Sequence, residues 1–220
     1  MKALLAPLLL ALACTTALRA DPAEKKSEAP AKEVVLFDGK SLDDWKAYDS
    51  GGSGEVTVSK DGEMIIGTGE SITGTIYQKA KDLPVTNYEI SLEAKRVEGI
   101  DFFCGLTFPV GSLKTCATLV VGGWSGSVTG ISSIDGLDAS DNSTGHFRKL
   151  ADNKWYRIKL RVTPENLSAW IDDEKMIDVD IAGRKVGVRP GPIEDFLPLS
   201  FTTYQTTAAI KNVKLTPLGK

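Results

Sequence analysis

Between Val34 and Lys220 the chain repeatedly alternates apolar and polar residues with a period of two. In Tyr88-Glu-Ile-Ser-Leu-Glu-Ala-Lys95, the side chains of Tyr88, Ile90, Leu92 and Ala94 fall on one face and Glu89, Ser91, Glu93 and Lys95 on the other. Trp155 to Val162 repeats the pattern, with Tyr156, Ile158, Leu160 and Val162 on the apolar side. Such alternation marks strands with one face in a core, because successive side chains point to opposite sides of the pleat. Glu55-Val-Thr-Val-Ser and Glu63-Met-Ile-Ile-Gly flank Lys60-Asp61-Gly62, where Asp-Gly signals a hairpin turn. Leu167 to Asp172 and Lys175 to Val179 flank a second tight turn at Asp172-Asp173-Glu174. Further short runs lie at Thr75 to Gln78, Gly126 to Ile131, Leu199 to Tyr204 and Ala208 to Leu215. No window holds a helical period beyond a turn or two. Roughly ten to thirteen strands in a single domain predict an all-β fold of two packed antiparallel sheets.

The N-terminus breaks this pattern. Lys2 precedes an almost wholly apolar run, Ala3 to Ala13, followed by small residues at Thr15, Thr16, Ala17 and Ala20. A positive start, a short apolar core and a small-residue exit predict a secretory signal over residues 1–20, too short to span a bilayer. Export to the periplasm or beyond is the expectation. Cys14 in Ala11-Leu12-Ala13-Cys14 loosely resembles a lipoprotein box and keeps lipid anchoring open as an alternative. Residues 21–33 (DPAEKKSEAPAKE) lack any large apolar side chain and read as a disordered linker. The domain is 34–220. No later stretch approaches transmembrane length, and a net charge of −3 without a basic cluster argues against a nucleic-acid partner.

Two cysteines remain in the domain. Asp101 to Phe108 and Lys114 to Val121 read as strands joined through Pro109-Val110-Gly111. A three-residue loop centred on Val110 pairs Phe108 with Ser112 and sets Cys104 opposite Cys116. Opposed antiparallel residues are close enough for a disulfide, which an exported protein retains. The Cys104–Cys116 bond is therefore an expectation.

Val35-Leu-Phe-Asp-Gly-Lys-Ser-Leu-Asp-Asp-Trp45 resembles the opening signature of the 3-keto-disaccharide hydrolase family. Tyr88 to Lys95, Asn153 to Arg157, Ile171 to Glu174 and Ala209 to Leu215 agree with later segments of it, so the resemblance spans Val34 to Leu218. It implies a concanavalin A-like jelly-roll sandwich and activity on a glycoside. The chain departs where typical members carry an Asn-Ser-Gly-Ile run, here Phe103-Cys104-Gly105-Leu106. It departs again at Cys116 to Trp124, which has no carboxylate where members carry a Glu and a terminal Asp. Glycoside hydrolysis ordinarily takes two carboxyl groups facing one cleft, so if the missing carboxylate is one of them the chain is inactive or carries its chemistry elsewhere.

The glycine-rich Gly122 to Asn142 stretch is the least scaffold-like part. Trp124, flanked by small residues, is a candidate platform for a sugar ring, or a core filler between sheets. Asp135, Asp138 and His146 are the candidate catalytic groups, with Glu93 a more distant one. Asp135, Asp138 and Asp141 are also a candidate Ca²⁺ set, since that ion takes several oxygen ligands on one loop. Their bland alternative is solvated turn carboxylates. Arg148 and Trp170 are candidate sugar contacts. If the polar side of their strands is a groove, Glu93, Arg157, Lys159, Arg161 and Trp170 line it; otherwise they are ordinary surface. The functional expectation is a glycoside hydrolase with a carbohydrate ligand. A non-catalytic carbohydrate-binding module and a surface interaction domain are the alternatives.

Overall fold

The structure is a computed structural model describing residues 32–49 and 51–219. The signal over 1–20, Cys14 and most of the linker lie outside the described residues. Two antiparallel sheets pack face to face. The eight-stranded sheet contains β1 (Val34–Phe37), β3 (Val56–Val58), β4 (Met64–Ile66), β6 (Tyr88–Gly99), β11 (Tyr156–Val162), β12 (Asn166–Ile171), β13 (Glu174–Asp180) and β15 (Thr206–Pro217). Its order is β13-β12-β11-β6-β15-β4-β3, with β1 also paired to β15. The seven-stranded sheet contains β2 (Trp45–Tyr48), β5 (Thr73–Tyr77), β7 (Cys104–Ser112), β8 (Thr115–Gly122), β9 (Val128–Ser132), β10 (His146–Phe147) and β14 (Ser200–Thr203). Its order is β10-β9-β8-β7-β14-β5-β2. The two packed antiparallel sheets expected from the strand pattern, and the jelly-roll sandwich implied by the resemblance, are the fold. No helix among the described residues is long and apolar enough to cross a membrane.

Alternation does what the pattern requires. Tyr88, Ile90, Leu92 and Ala94 on β6 and Tyr156, Ile158, Leu160 and Val162 on β11 are buried against Leu106 and Phe108 of β7, Leu119 of β8 and Phe201 of β14 in one core. Removing that apolar surface from water is the main stabilising term. The Val35 to Trp45 signature is part of this scaffold. Phe37 and Trp45 are buried, and the Trp45 indole N–H donates to the Leu36 carbonyl at 2.8 Å. The Trp45 ring packs at 5.1 Å from Tyr77 and 5.3 Å from Phe201.

The expected Cys104–Cys116 disulfide does not form; both thiols are free. The hairpin turns at Leu113-Lys114, where Ser112 pairs with Thr115, and not at Val110. Pro109 stays inside β7 because a register shift between Pro109 and Ser112 absorbs it, and bulges tolerate a missing N–H. Cys104 consequently pairs with Val121 and Cys116 with Pro109. Five residues along a strand separate the two positions by about 17 Å, far beyond disulfide reach. Burial pushes the Cys104 thiol up to about 12 and the Cys116 thiol to about 11, so both stay protonated and unreactive.

Candidate functional site

On β8, Ala117, Leu119 and Val121 enter the core, which turns Thr118 and Val120 to the outer face of the seven-stranded sheet. There they floor a cavity of about 540 Å³ together with Ser132 at the end of β9. That size suits a small organic ligand. Phe102, Trp124 and Tyr204 supply aromatic walls; Ile72, Pro190, Pro192 and Ile193 supply aliphatic ones. The polar groups on the lining include Asp101, Arg189 and Ser71.

The aromatic wall is assembled from three separate turns. Asp101 and Phe102 follow the end of β6, and Tyr204 follows β14. The Phe102 and Tyr204 rings stack with centroids 6.3 Å apart and planes 26° from parallel, while the Tyr204 N–H donates to the Phe102 carbonyl at 3.3 Å. Trp124 rides on the single turn Gly123–Gly126 between β8 and β9. Its backbone is left-handed (φ 47°, ψ 67°), as is that of Ser125 (φ 61°, ψ 36°). Two successive non-glycine residues in that region persist only when their surroundings hold them. Asp101 is one such restraint: one carboxylate oxygen accepts the Ser125 N–H at 2.9 Å and the other its neighbour Phe102 N–H at 2.8 Å.

Arg189 forms the charged lip. Its guanidinium centre lies 6.0 Å from the Trp124 ring centroid, and its Nε lies 3.3 Å from the Asp138 carboxylate. The segment carrying it is strapped to the loop after β9. Ser133 and Gly187 exchange backbone hydrogen bonds, and Asp135 accepts from Arg184 at 2.8 Å and from the Lys185 N–H at 2.9 Å. That backbone donor, then the Arg184 side chain, holds the Asp135 carboxyl below its ordinary range.

The residues singled out from sequence fall in different places. Trp124 walls the cavity, and Asp138 reaches its lip through Arg189. Asp135 fastens the strap instead of facing the cavity. Asp141 accepts from Ser140 at 2.8 Å, pointing to neither neighbouring aspartate's partner. Among the described residues no three His, Cys, Asp or Glu side chains converge, so the expected Asp135–Asp138–Asp141 Ca²⁺ set is not assembled. Each of the three is satisfied by a different partner. His146 lies exposed on the edge strand β10, opposite Thr129 of β9. Arg148 is ion-paired with Glu174. Glu93 and Trp170 occupy the outer face of the eight-stranded sheet, across the core from the cavity. Glu93 accepts from Asn212 at 2.7 Å, and Trp170 lies under Lys159 at 4.2 Å, with Arg161 and Lys175 each at 5.5 Å. On the same face Arg157 pairs with Asp173 and Arg161 with Glu89.

Sequence reading missed Asp101, Phe102, Arg189 and Tyr204. The available signal was an acidic residue beside an aromatic one at the break after the long alternating run of β6. Arg189, in a Pro- and Gly-rich stretch, carried none.

The cavity thus offers aromatic faces, a guanidinium and one carboxylate, the inventory of a site that stacks a polar ring and fixes it by hydrogen bonds. The model of the 3-keto-alpha-glucoside-1,2-lyase-like domain matches residues 32–216. No curated protein matches the sequence. Among solved structures, the chain is similar to a candidate glycosyl hydrolase from Parabacteroides distasonis ATCC 8503, at 16% identity and TM-score 0.53, covering 85% of this chain and 94% of that one. It is similar to the Crh5 transglycosylase with N-acetylglucosamine (NAG), at 10% identity and TM-score 0.57, covering 87% and 85%. A native glycosidic hydrolase matches at 10% identity and TM-score 0.56, covering 88% and 99%. At these identities the likeness is one of fold.

Proposed function

Because the chain belongs to the 3-keto-alpha-glucoside-1,2-lyase-like domain family, we propose that it seats a 3-keto-glucoside in the Trp124 cavity and cleaves it by elimination across C1 and C2. The observation that carries this reading is the inventory of the lining, which among the described residues holds aromatic rings, one guanidinium and one carboxylate, Asp101. Ordinary glycosidase hydrolysis takes two carboxyl groups about 5 to 9.5 Å apart across the scissile bond. Elimination takes one base, because a carbonyl at C3 acidifies the hydrogen on C2. Asp101 accepts that proton and the freed electron pair becomes the C1–C2 double bond. The C1–O bond breaks, and the departing oxygen takes the proton back. Trp124 supports the apolar face of the ring, and Arg189 steadies the charge that develops on the C3 oxygen.

The test is product detection by mass spectrometry after incubation with 3-keto-disaccharides and their unoxidised parents. An unsaturated keto-sugar or its hydrate, formed only from the 3-keto substrates and absent with Asp101→Asn, supports the reading. Release from the unoxidised parents would overturn it in favour of hydrolysis.

A second reading is sugar recognition without chemistry. It is favoured by one observation: each Asp101 oxygen already accepts a backbone N–H, which fits a carboxylate that builds the site instead of working in it. Binding without product selects this reading. Residues 1–20, read as a secretory signal, support action outside the cytoplasm, and fractionation of cells expressing the full chain tests that.

A further inference from the structure

Arg96, near the end of β6, follows Ala94 on the core-facing side and is only 2% exposed. A charge so placed must be fully hydrogen-bonded to be tolerated. Its Nε–H donates to the Asp101 carbonyl at 3.3 Å. One terminal nitrogen donates to the Asp152 carboxylate at 2.9 Å and the Leu150 carbonyl at 3.4 Å. The other donates to the Gly122 carbonyl at 3.3 Å. The guanidinium centre lies 5.3 Å from the Phe103 ring centroid.

These contacts have one geometric consequence. The guanidinium sits directly beneath the Gly123–Gly126 turn: a Cβ on Gly122 would lie 2.7 Å from its nitrogen, and one on Gly126 would lie 3.1 Å away. Both glycines also have left-handed backbones, φ 75° and 83°. Glycine at each end therefore serves two needs, the turn's conformation and the room for a buried cation. The left-handed pair between them, Trp124 and Ser125, has no such freedom. It is held from below through Gly122 by Arg96 and from the side through Ser125 by Asp101, whose own carbonyl Arg96 also holds.

We infer that Arg96 is a positioning residue for the ligand cavity, a buried cation that ties the Asp101 turn to the Trp124 turn and so holds the aromatic wall. It touches no ligand itself. Asp152 is the counter-charge that keeps it there. The inference rests on the cavity being the sugar site, but its first readout does not need a sugar.

Hydrogen exchange of the full chain is compared for wild type and Arg96→Lys, which keeps the charge and loses the fork of donors. Exchange at residues 122–127 is expected to speed at least tenfold in Arg96→Lys, with β7 and β14 unchanged. Affinity for a 3-keto-disaccharide, read by titration calorimetry, is expected to fall at least tenfold. Unchanged exchange at 122–127, or acceleration spread evenly over the sandwich, overturns the inference, the latter marking Arg96 as a general structural group. Selective exchange with unchanged affinity also overturns it. If Arg96→Lys does not fold, Asp152→Asn replaces it, with about threefold faster exchange confined to 122–127 expected and wild-type exchange overturning the inference. Should the wild type bind no sugar, the proposed function fails while the exchange result still decides whether Arg96 holds the turn.

Discussion

The Asp101 carboxylate accepts the backbone N–H of Ser125 at 2.9 Å, across 24 residues of sequence. This bond joins the one carboxylate on the lining among the described residues to the turn that presents its tryptophan. Asp101→Ala strips the partly buried Phe102 N–H and the solvent-facing Ser125 N–H of their acceptor, and the first, left unpaired, costs about 1 kcal/mol. A lower denaturation midpoint is expected, together with loss of both sugar affinity and turnover. Chemical denaturation and calorimetry check the two effects separately.

The two candidate sugar platforms are separable. Trp124→Ala is expected to weaken binding of a 3-keto-disaccharide at least tenfold, whereas Trp170→Ala leaves it within twofold of wild type. Trp170 lies on the opposite sheet under Lys159, Arg161 and Lys175. Equal losses in both variants would move the site to the eight-stranded sheet.

The thiols offer a test free of any ligand assumption. Residues 34–220 treated with iodoacetamide in denaturant, without reductant, are expected to gain two adducts by mass spectrometry. The same reagent on the folded domain near pH 8 is expected to add none within minutes, since burial holds Cys104 and Cys116 up at about 12 and about 11. No adduct in denaturant would restore the disulfide.

Acid is expected to loosen the strap through Asp135. Its folded carboxyl lies below the ordinary value of 3.8, chiefly through the Lys185 N–H and then Arg184. A lowered folded pKa contributes stability that is present above the unfolded value and is lost as pH falls through the folded one. Asp135→Asn should therefore flatten the pH dependence of the melting temperature below about pH 4 and change it little near neutrality. A melting profile parallel to wild type down to pH 2 would remove Asp135 from that role.

The opening signature belongs to the scaffold. Trp45→Phe keeps the ring against Tyr77 and Phe201 but loses the donor to Leu36, a change worth about 1 kcal/mol. Lower stability with unchanged sugar affinity is the expected result.

Much of the sandwich was legible in the chain. The runs of β6 and β11 predicted which side chains are buried, and the Asp61-Gly62 and Asp172-Asp173 turns predicted two hairpins. These are local signals, set by the two-residue pleat and by turn stereochemistry. The Cys104–Cys116 expectation failed for an equally local reason: Pro109 resembles a turn residue, and only pairing with β8 turns it into a bulge within β7. Of the site, Trp124 was legible from its small-residue flanks. Asp135 and Asp138 drew attention as loop carboxylates but serve arginines.

By itself, then, the sequence determined the fold class, the longer strands and their buried faces, because each depends on neighbours two residues away, while the short β1, β2 and β10 left no such pattern. Only the tertiary structure decided that Asp101, Trp124, Arg189 and Tyr204 share one cavity and that Glu93 and Trp170 do not. That meeting depends on β14 inserting between β5 and β7 and on the strap after β13 crossing to the loop after β9. Such contacts between distant segments are selected by packing of the whole sandwich and leave no periodic trace along the chain.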